Sequence, residues 1–211
     1  LTGDLSDDGS DVAYQRLAAQ MAALDIPHAW LPGNHDKLDA MQRVWHGHQF
    51  HTIGAGAWGI ILLNSQIPGA VGGSLAASEL ERLQAFIDDP AYRYLLVCVH
   101  HHPVLINSAW LDQQRISNAD ALFGILDNSP KVRGLLWGHV HQEYDDWRGH
   151  MRMLGSPSTC VQFAPNSDDF KVDRLGPGCR WMWLAEDGQL ETRVDRVDEQ
   201  ASGVDYDCEG Y

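Results

Sequence analysis

An α/β fold, a layered sandwich of two mixed β-sheets flanked by helices, is what this sequence predicts, and three observations carry it. Apolar runs alternate with amphipathic stretches of helical period in the first part of the chain. The later part changes to short strand-like runs separated by turn residues. Four polar clusters also follow directly on apolar runs, where a parallel sheet gathers its functional side chains.

The elements follow in order. Val12, Tyr14, Leu17, Ala18, Met21 and Leu24 recur at helical spacing, with Ser10 or Asp11 as N-cap and Pro27 as the stop. His28 to Leu31 reads as a strand, and Leu38, Met41, Val44 and Trp45 as a helix. Phe50–Ile53 and Trp58–Asn64 form a strand pair around Gly54 and Gly56. Ser74 is placed as the cap of a helix through Leu80, Leu83, Phe86 and Ile87, closed by Asp89-Pro90. Tyr94–Val99 and Val132–Trp137 are continuous apolar strands of the kind covered on both faces, with a helix from Ser117 or Asn118 through Leu122, Ile125 and Leu126 between them. Short strands are expected at Tyr144–Trp147, Met151–Leu154, Cys160–Phe163, Arg180–Ala185 and Leu190–Val197. Residues 1–197 form one domain in this reading and 198–211 an extended tail.

A formal charge of −14 repels nucleic acid polymers and anionic membranes, and no run reaches the roughly 18 apolar residues of a membrane span. Cys98, Cys160, Cys179 and Cys208 show no paired spacing, which points to a reducing compartment and a cytoplasmic location.

The chemistry centres on Gly33-Asn34-His35-Asp36. Asn offers a carboxamide oxygen, His a group that titrates near neutrality, and Asp a carboxylate able to orient an imidazole. Gly3-Asp4-Leu5-Ser6-Asp7, His100-His101-His102-Pro103 and Gly138-His139-Val140-His141 answer to it. Alone, each cluster reads more readily as something ordinary, an Asn- or Asp-rich turn or, for His139 and His141, exposed histidines on one strand face, and it is their conjunction at strand ends that is specific. Asp, Asn and His without Cys suit Fe, Mn or Zn in a catalytic site. Asp4, Asn34, His101, His139 and His141 exceed the three protein ligands of a simple catalytic zinc site, so two divalent ions are expected, with Asp4 as the bridging candidate.

These motifs, in this order, resemble the calcineurin-like metallophosphoesterases. Thr2–Asp8, Trp30–Asp36, Val99–Pro103, Trp110–Gln113, Gly138–Glu143, Pro157–Phe163 and Glu209–Tyr211 are similar to the bacterial 3′,5′-cyclic AMP phosphodiesterase branch. The resemblance implies that Asn34, His101 and His139 complete one metal bridged by Asp4, while His141 serves the other. His101 is chosen as the first His of a His-His-Pro end. His35 would protonate the leaving oxygen, with Asp36 orienting it, and Asn34, His35 and His141 would touch the substrate. The reaction implied is hydrolysis of 3′,5′-cyclic AMP to 5′-AMP by a hydroxide bridging the metals. The partner is thus a small cyclic nucleotide.

Family members open with a strand ending in Asp-x-His, which precedes Asp4 nowhere here, so the expected fold is N-terminally incomplete. Two other readings keep the motifs: action on another small phosphodiester, a nucleotide pyrophosphate or a monoester, and a non-catalytic metal or nucleotide binder. His28, His46, His48, His51 and His150 match nothing in the pattern.

Overall fold

The structure, a computed structural model, describes residues 1–45, 52–198 and 203–208. In chain order the elements are α1 (Asp11–Leu24), α2 (Leu38–Val44), β1 (Thr52–Ala55), β2 (Trp58–Leu62), α3 (Ala77–Asp88), β3 (Tyr94–Val99), α4 (Ala109–Asp112), α5 (Ala119–Leu126), β4 (Val132–Trp137), β5 (Tyr144–Arg148), β6 (Met151–Gly155), β7 (Gln162–Phe163), β8 (Val172–Asp173), β9 (Gly178–Leu184) and β10 (Leu190–Arg196). Phe50, His46, His48 and His51 lie outside the described residues.

Six strands form one mixed sheet in the order β1-β2-β3-β4-β6-β5, parallel through its centre and antiparallel at both edges. The antiparallel β9–β10 ladder forms a second sheet layer. Strand side chains alternate, and in β3 they fill two separate cores. Leu95, Val97 and Val99 meet Leu83, Phe86, Leu122 and Leu126 of α3 and α5. Leu96 and Cys98 meet Leu31, Leu136, Leu154 and Leu190, with Met182 and Leu184 of β9 against them. Helices therefore cover one face of the large sheet, and the hairpin with the Leu31 segment covers the other.

A third, small core of Tyr14, Trp30, Ala40 and Met41 binds α1 and α2 to the segment that enters Leu31, with Trp45 stacked on Trp30 at 4.2 Å. Ser10 caps α1 as its sequence position predicts, its Oγ accepting from the Ala13 amide at 3.3 Å. The helix ends at Asp25 in a left-handed conformation, two residues before Pro27.

Several expectations need correction. His28–Leu31 forms no named strand; its pairing consists of the Leu31 amide donating to the Leu1 carbonyl (3.0 Å) and the Leu1 nitrogen donating to the Ala29 carbonyl (2.8 Å). Ser74 does not cap α3, which begins after Ala76. Its hydroxyl instead donates to Asn118 Oδ1 (3.0 Å), which also accepts from the Leu75 amide, tying the approach to α3 to the start of α5. The expected Cys160–Phe163 strand shortens to Gln162–Phe163, paired with β8, which was not foreseen. In the C-terminal segment Arg174 pairs with Asp207 at 3.7 Å and lies over Tyr206. Among the described residues no helix is long and apolar enough to cross a membrane.

Candidate metal centre

The parallel strands β2, β3 and β4 end side by side, and the loops that leave them carry Ser65, His100 and His139. Against this edge the Leu1–Leu31 pairing sets down two more loops, carrying Asp4 and Asn34. Their approach is close. A Cβ at Gly33 would overlap the Asp4 carboxylate, and one at Gly3, whose φ is 95°, would strike the His100 ring, so both positions need glycine.

His100 is the hub. Its Nε2 lies 3.1 Å from Asp4 Oδ2, 3.1 Å from Asn34 Oδ1 and 3.2 Å from His139 Nδ1. Its Nδ1 lies 2.7 Å from the Thr2 carbonyl, which only accepts, so Nδ1 carries a proton. His139 Nε2 faces Gln114 Oε1 at 3.0 Å, and donation there leaves Nδ1 with its lone pair turned inward. Three acceptor atoms thus converge on His100 Nε2, with the one proton it carries to share among them.

The electrostatics follow from this. Burial opposes the charged form of His100, but the Asp4 carboxylate and its hydrogen bond outweigh burial and hold the imidazole above its ordinary pKa. Burial also opposes ionisation of Asp4, and the charge and hydrogen bond of His100 with the His35 amide overcome it, holding Asp4 well below the usual carboxylate range. His139 is pushed well below its ordinary value by burial and then by the neighbouring imidazoles.

Such a convergence fits a divalent cation. Ligand bonds of about 2.1 Å put neighbouring ligand atoms roughly 3 Å apart, close to the distances around His100 Nε2. Nitrogen and oxygen donors without thiolate suit Mn, Fe or Zn. Backbone strain points the same way. Asp4, His139 and His141 have φ of 51°, 57° and 50°, a left-handed conformation that costs about 1–3 kcal/mol per non-glycine residue and collects at functional sites.

The structure places His101 with His100 and His139, though not among the atoms that meet His100 Nε2. Its ring does fall with His100 and His139 in a group whose nitrogens lie within 4.8 Å of one another. Both of its nitrogens are nevertheless engaged: Nδ1 with Ser65 Oγ at 2.8 Å and Nε2 with the Val71 carbonyl at 3.0 Å. The Val71 carbonyl can only accept, so the proton sits on Nε2 and Nδ1 accepts from the Ser65 hydroxyl. His102 lies buried and stacked along His139, ring centroids 5.8 Å apart.

Asp36 differs from expectation too. Rather than orienting His35, its carboxylate accepts from the Gly33 amide (2.8 Å), the Leu5 and Ser6 amides and the Tyr14 hydroxyl (2.9 Å). It fixes the Asp4 loop, and burial, only partly offset by these donors, raises its pKa. His35 is steered by Asp7 instead, with Nδ1 3.2 Å from the Asp7 carbonyl and 3.6 Å from its carboxylate. Nδ1 donates to that carbonyl, which directs Nε2 away from it. His141 stacks face to face on Phe163 at 4.3 Å; burial lowers its pKa to about 4 against the pull of Asp4.

The calcineurin-like phosphoesterase family model matches residues 1–143. The chain is 50% identical over 212 residues to the 3′,5′-cyclic adenosine monophosphate phosphodiesterase CpdA of Pseudomonas aeruginosa, an alignment that covers 100% of this chain and 78% of that relative. The protein of the same name from Escherichia coli is 41% identical over 223 residues, with the same two coverages. Among solved structures, a dimetal phosphatase from Danio rerio matches with a TM-score of 0.68 at 16% identity, covering 94% of this chain and 80% of that one, a likeness of fold.

Proposed function

Since the chain belongs to the calcineurin-like phosphoesterase family, we propose that it hydrolyses 3′,5′-cyclic AMP to 5′-AMP at the Asp4–Asn34–His100–His139 cluster, with His35 as general acid. The carrying observation is the convergence of Asp4, Asn34 and His139 acceptor atoms on His100 Nε2. The substrate is supported by the names of the two bacterial relatives.

In this reading Asp4, Asn34, His100 and His139 hold one divalent ion, and Asp4 with His141 contributes to a second. When bound, the ions supply Lewis-acid charge to the phosphate oxygens and lower the pKa of a water. The chain's own part is positional. The Asp36 carboxylate, through the Leu5, Ser6 and Gly33 amides, holds the Asp4 and Asn34 loops in contact, so little reorganisation is left for the reaction. Gln66 Nε2 adds a further tie to the Gly33 and Asp36 carbonyls.

His35 follows Asn34 directly, and its amide donates to Asp4 Oδ1 at 3.0 Å, which keeps its ring beside the cluster. With Nδ1 donating to the Asp7 carbonyl, Nε2 is the nitrogen that delivers the proton. The oxygen of a water bonds to phosphorus as one of its protons passes to solvent, the bond to the ribose 3′ oxygen breaks, and that oxygen takes the proton from Nε2, which solvent later restores.

The test compares turnover of cyclic AMP, bis-p-nitrophenyl phosphate and p-nitrophenyl phosphate with added Mn. Preference for cyclic AMP and loss of turnover on chelation are expected. Preference for the monoester would assign the site to a phosphatase, and metal uptake without hydrolysis of any of the three would make the chain a binding protein.

A further inference from the structure

We infer that Gln114 is a positioning residue for the cluster, its side-chain oxygen selecting the tautomer in which His139 turns a lone pair toward the ion. The inference rests on the metal site proposed above. It assigns a role to a residue outside the motifs of the sequence.

His139 has two ways to satisfy its ring. With Gln114 presenting Oε1, Nε2 donates and Nδ1 is a bare lone pair 3.2 Å from His100 Nε2. With the amide reversed, the Gln114 NH₂ would donate to Nε2 and the proton would sit on Nδ1. There it would face the proton on His100 Nε2 and leave His139 no lone pair to offer a cation. The orientation of one amide therefore decides whether His139 turns a proton or a lone pair toward the cluster.

The surroundings keep Gln114 in place. Its amide donates to the Leu111 carbonyl at 2.8 Å, closing the turn after α4. Asp112 Oδ1 accepts from the Ile106 amide at 2.8 Å, which anchors that turn to the loop leaving β3. Ile116 and Ser117 continue the tie through the His102 and Gly73 carbonyls, and Gly72 lies against the Gln114 backbone. Outer partners of this kind raise ligand basicity and set ring orientation, and losing one costs about 10–100-fold in metal affinity.

A carboxylate at this position accepts in either orientation, whereas an aliphatic chain fills the space and accepts nothing. The experiment is titration of the metal-free protein with Mn²⁺ for wild type, Gln114→Leu and Gln114→Glu, with His139→Ala as reference and thermal melting to verify folding. We expect Gln114→Leu to bind about 10–100-fold more weakly, and Gln114→Glu to bind at least as tightly as wild type. Histidine ¹⁵N shifts of the metal-free proteins should place the His139 proton on Nε2 in wild type and Gln114→Glu, and show a mixture of the two neutral tautomers in Gln114→Leu. Wild-type affinity in Gln114→Leu, or equal weakening by Leu and Glu, overturns the role of Gln114 while leaving the cluster standing. Undiminished binding by His139→Ala overturns the cluster itself.

Discussion

The two sides of the site are built differently. Around His100, four ligand-type atoms meet, two of them on the buried His100 and His139 rings, whose outer nitrogens are committed to Thr2 and Gln114. Around His35 and His141, rings are steered by Asp7 and Phe163, and among the described residues no hydrogen bond links either ring to Asp4, Asn34, His100 or His139. The difference separates two tasks. A preformed cage holds charge without reorganising, whereas a group that delivers a proton must be able to reach the substrate.

Breaking the cage should have the largest effect. His139→Ala is expected to lose one ion and about 10³-fold in cyclic AMP turnover, since Lewis-acid stabilisation is worth several kcal/mol. Elemental analysis beside the kinetics checks it. An inactive variant with full metal content would mean that His139 serves catalysis in some other way.

On the open side, His35→Ala should lower kcat by about 10²–10⁴-fold with bound metal unchanged. The loss should shrink with p-nitrophenolate as leaving group, which needs no proton. An equal loss on both substrates would remove His35 from the acid role.

The two sides should also differ in their dependence on pH. His100 is held above its ordinary pKa, so below that raised value an ion must displace its proton. Affinity at the cluster should then fall by about tenfold per pH unit, one proton being released per ion bound. The sign reverses for the metal-free fold: the His100–Asp4 pair stabilises it fully below the ordinary imidazole pKa, and that stability is lost as pH rises through the raised value. Calorimetry in buffers of different ionisation enthalpy counts the proton, and a pH-independent affinity would contradict the shared-proton arrangement.

The smallest expected effect belongs to Asp36. Asp36→Asn turns an amide donor toward at least one backbone N–H, and should cost about 1–3 kcal/mol of unfolding free energy. kcat should change less than in His35→Ala. If kcat falls as far as in that variant with stability intact, Asp36 acts on His35 after all.

Much of this was legible in the sequence because strand length and polar punctuation are local. Tyr94–Val99 and Val132–Trp137 could be read from apolar runs, and their ends located two of the four clusters. What was not legible depended on which face a residue joins. In β3, Leu96 and Cys98 share a core with Leu31; His100 continues that alternation and so meets the loop that follows Leu31, whereas His101 continues the face of Val97 and Val99. The period of two was available, but not the fact that Leu31 packs on that face. Asp36 misled for a related reason. Adjacency to His35 suggested a pair, yet its partners are the Gly33 amide, the Tyr14 hydroxyl and two amides about thirty residues away in sequence, and Gln114 reaches His139 only through the fold.

The central claim is that the cation sits where the acceptors converge on His100. The direct measurement is metal content per chain, by mass spectrometry after dialysis, for His100→Ala and His101→Ala side by side. The account predicts that His100→Ala loses the cluster ion while His101→Ala keeps it. Loss of the ion in His101→Ala with retention in His100→Ala would contradict it.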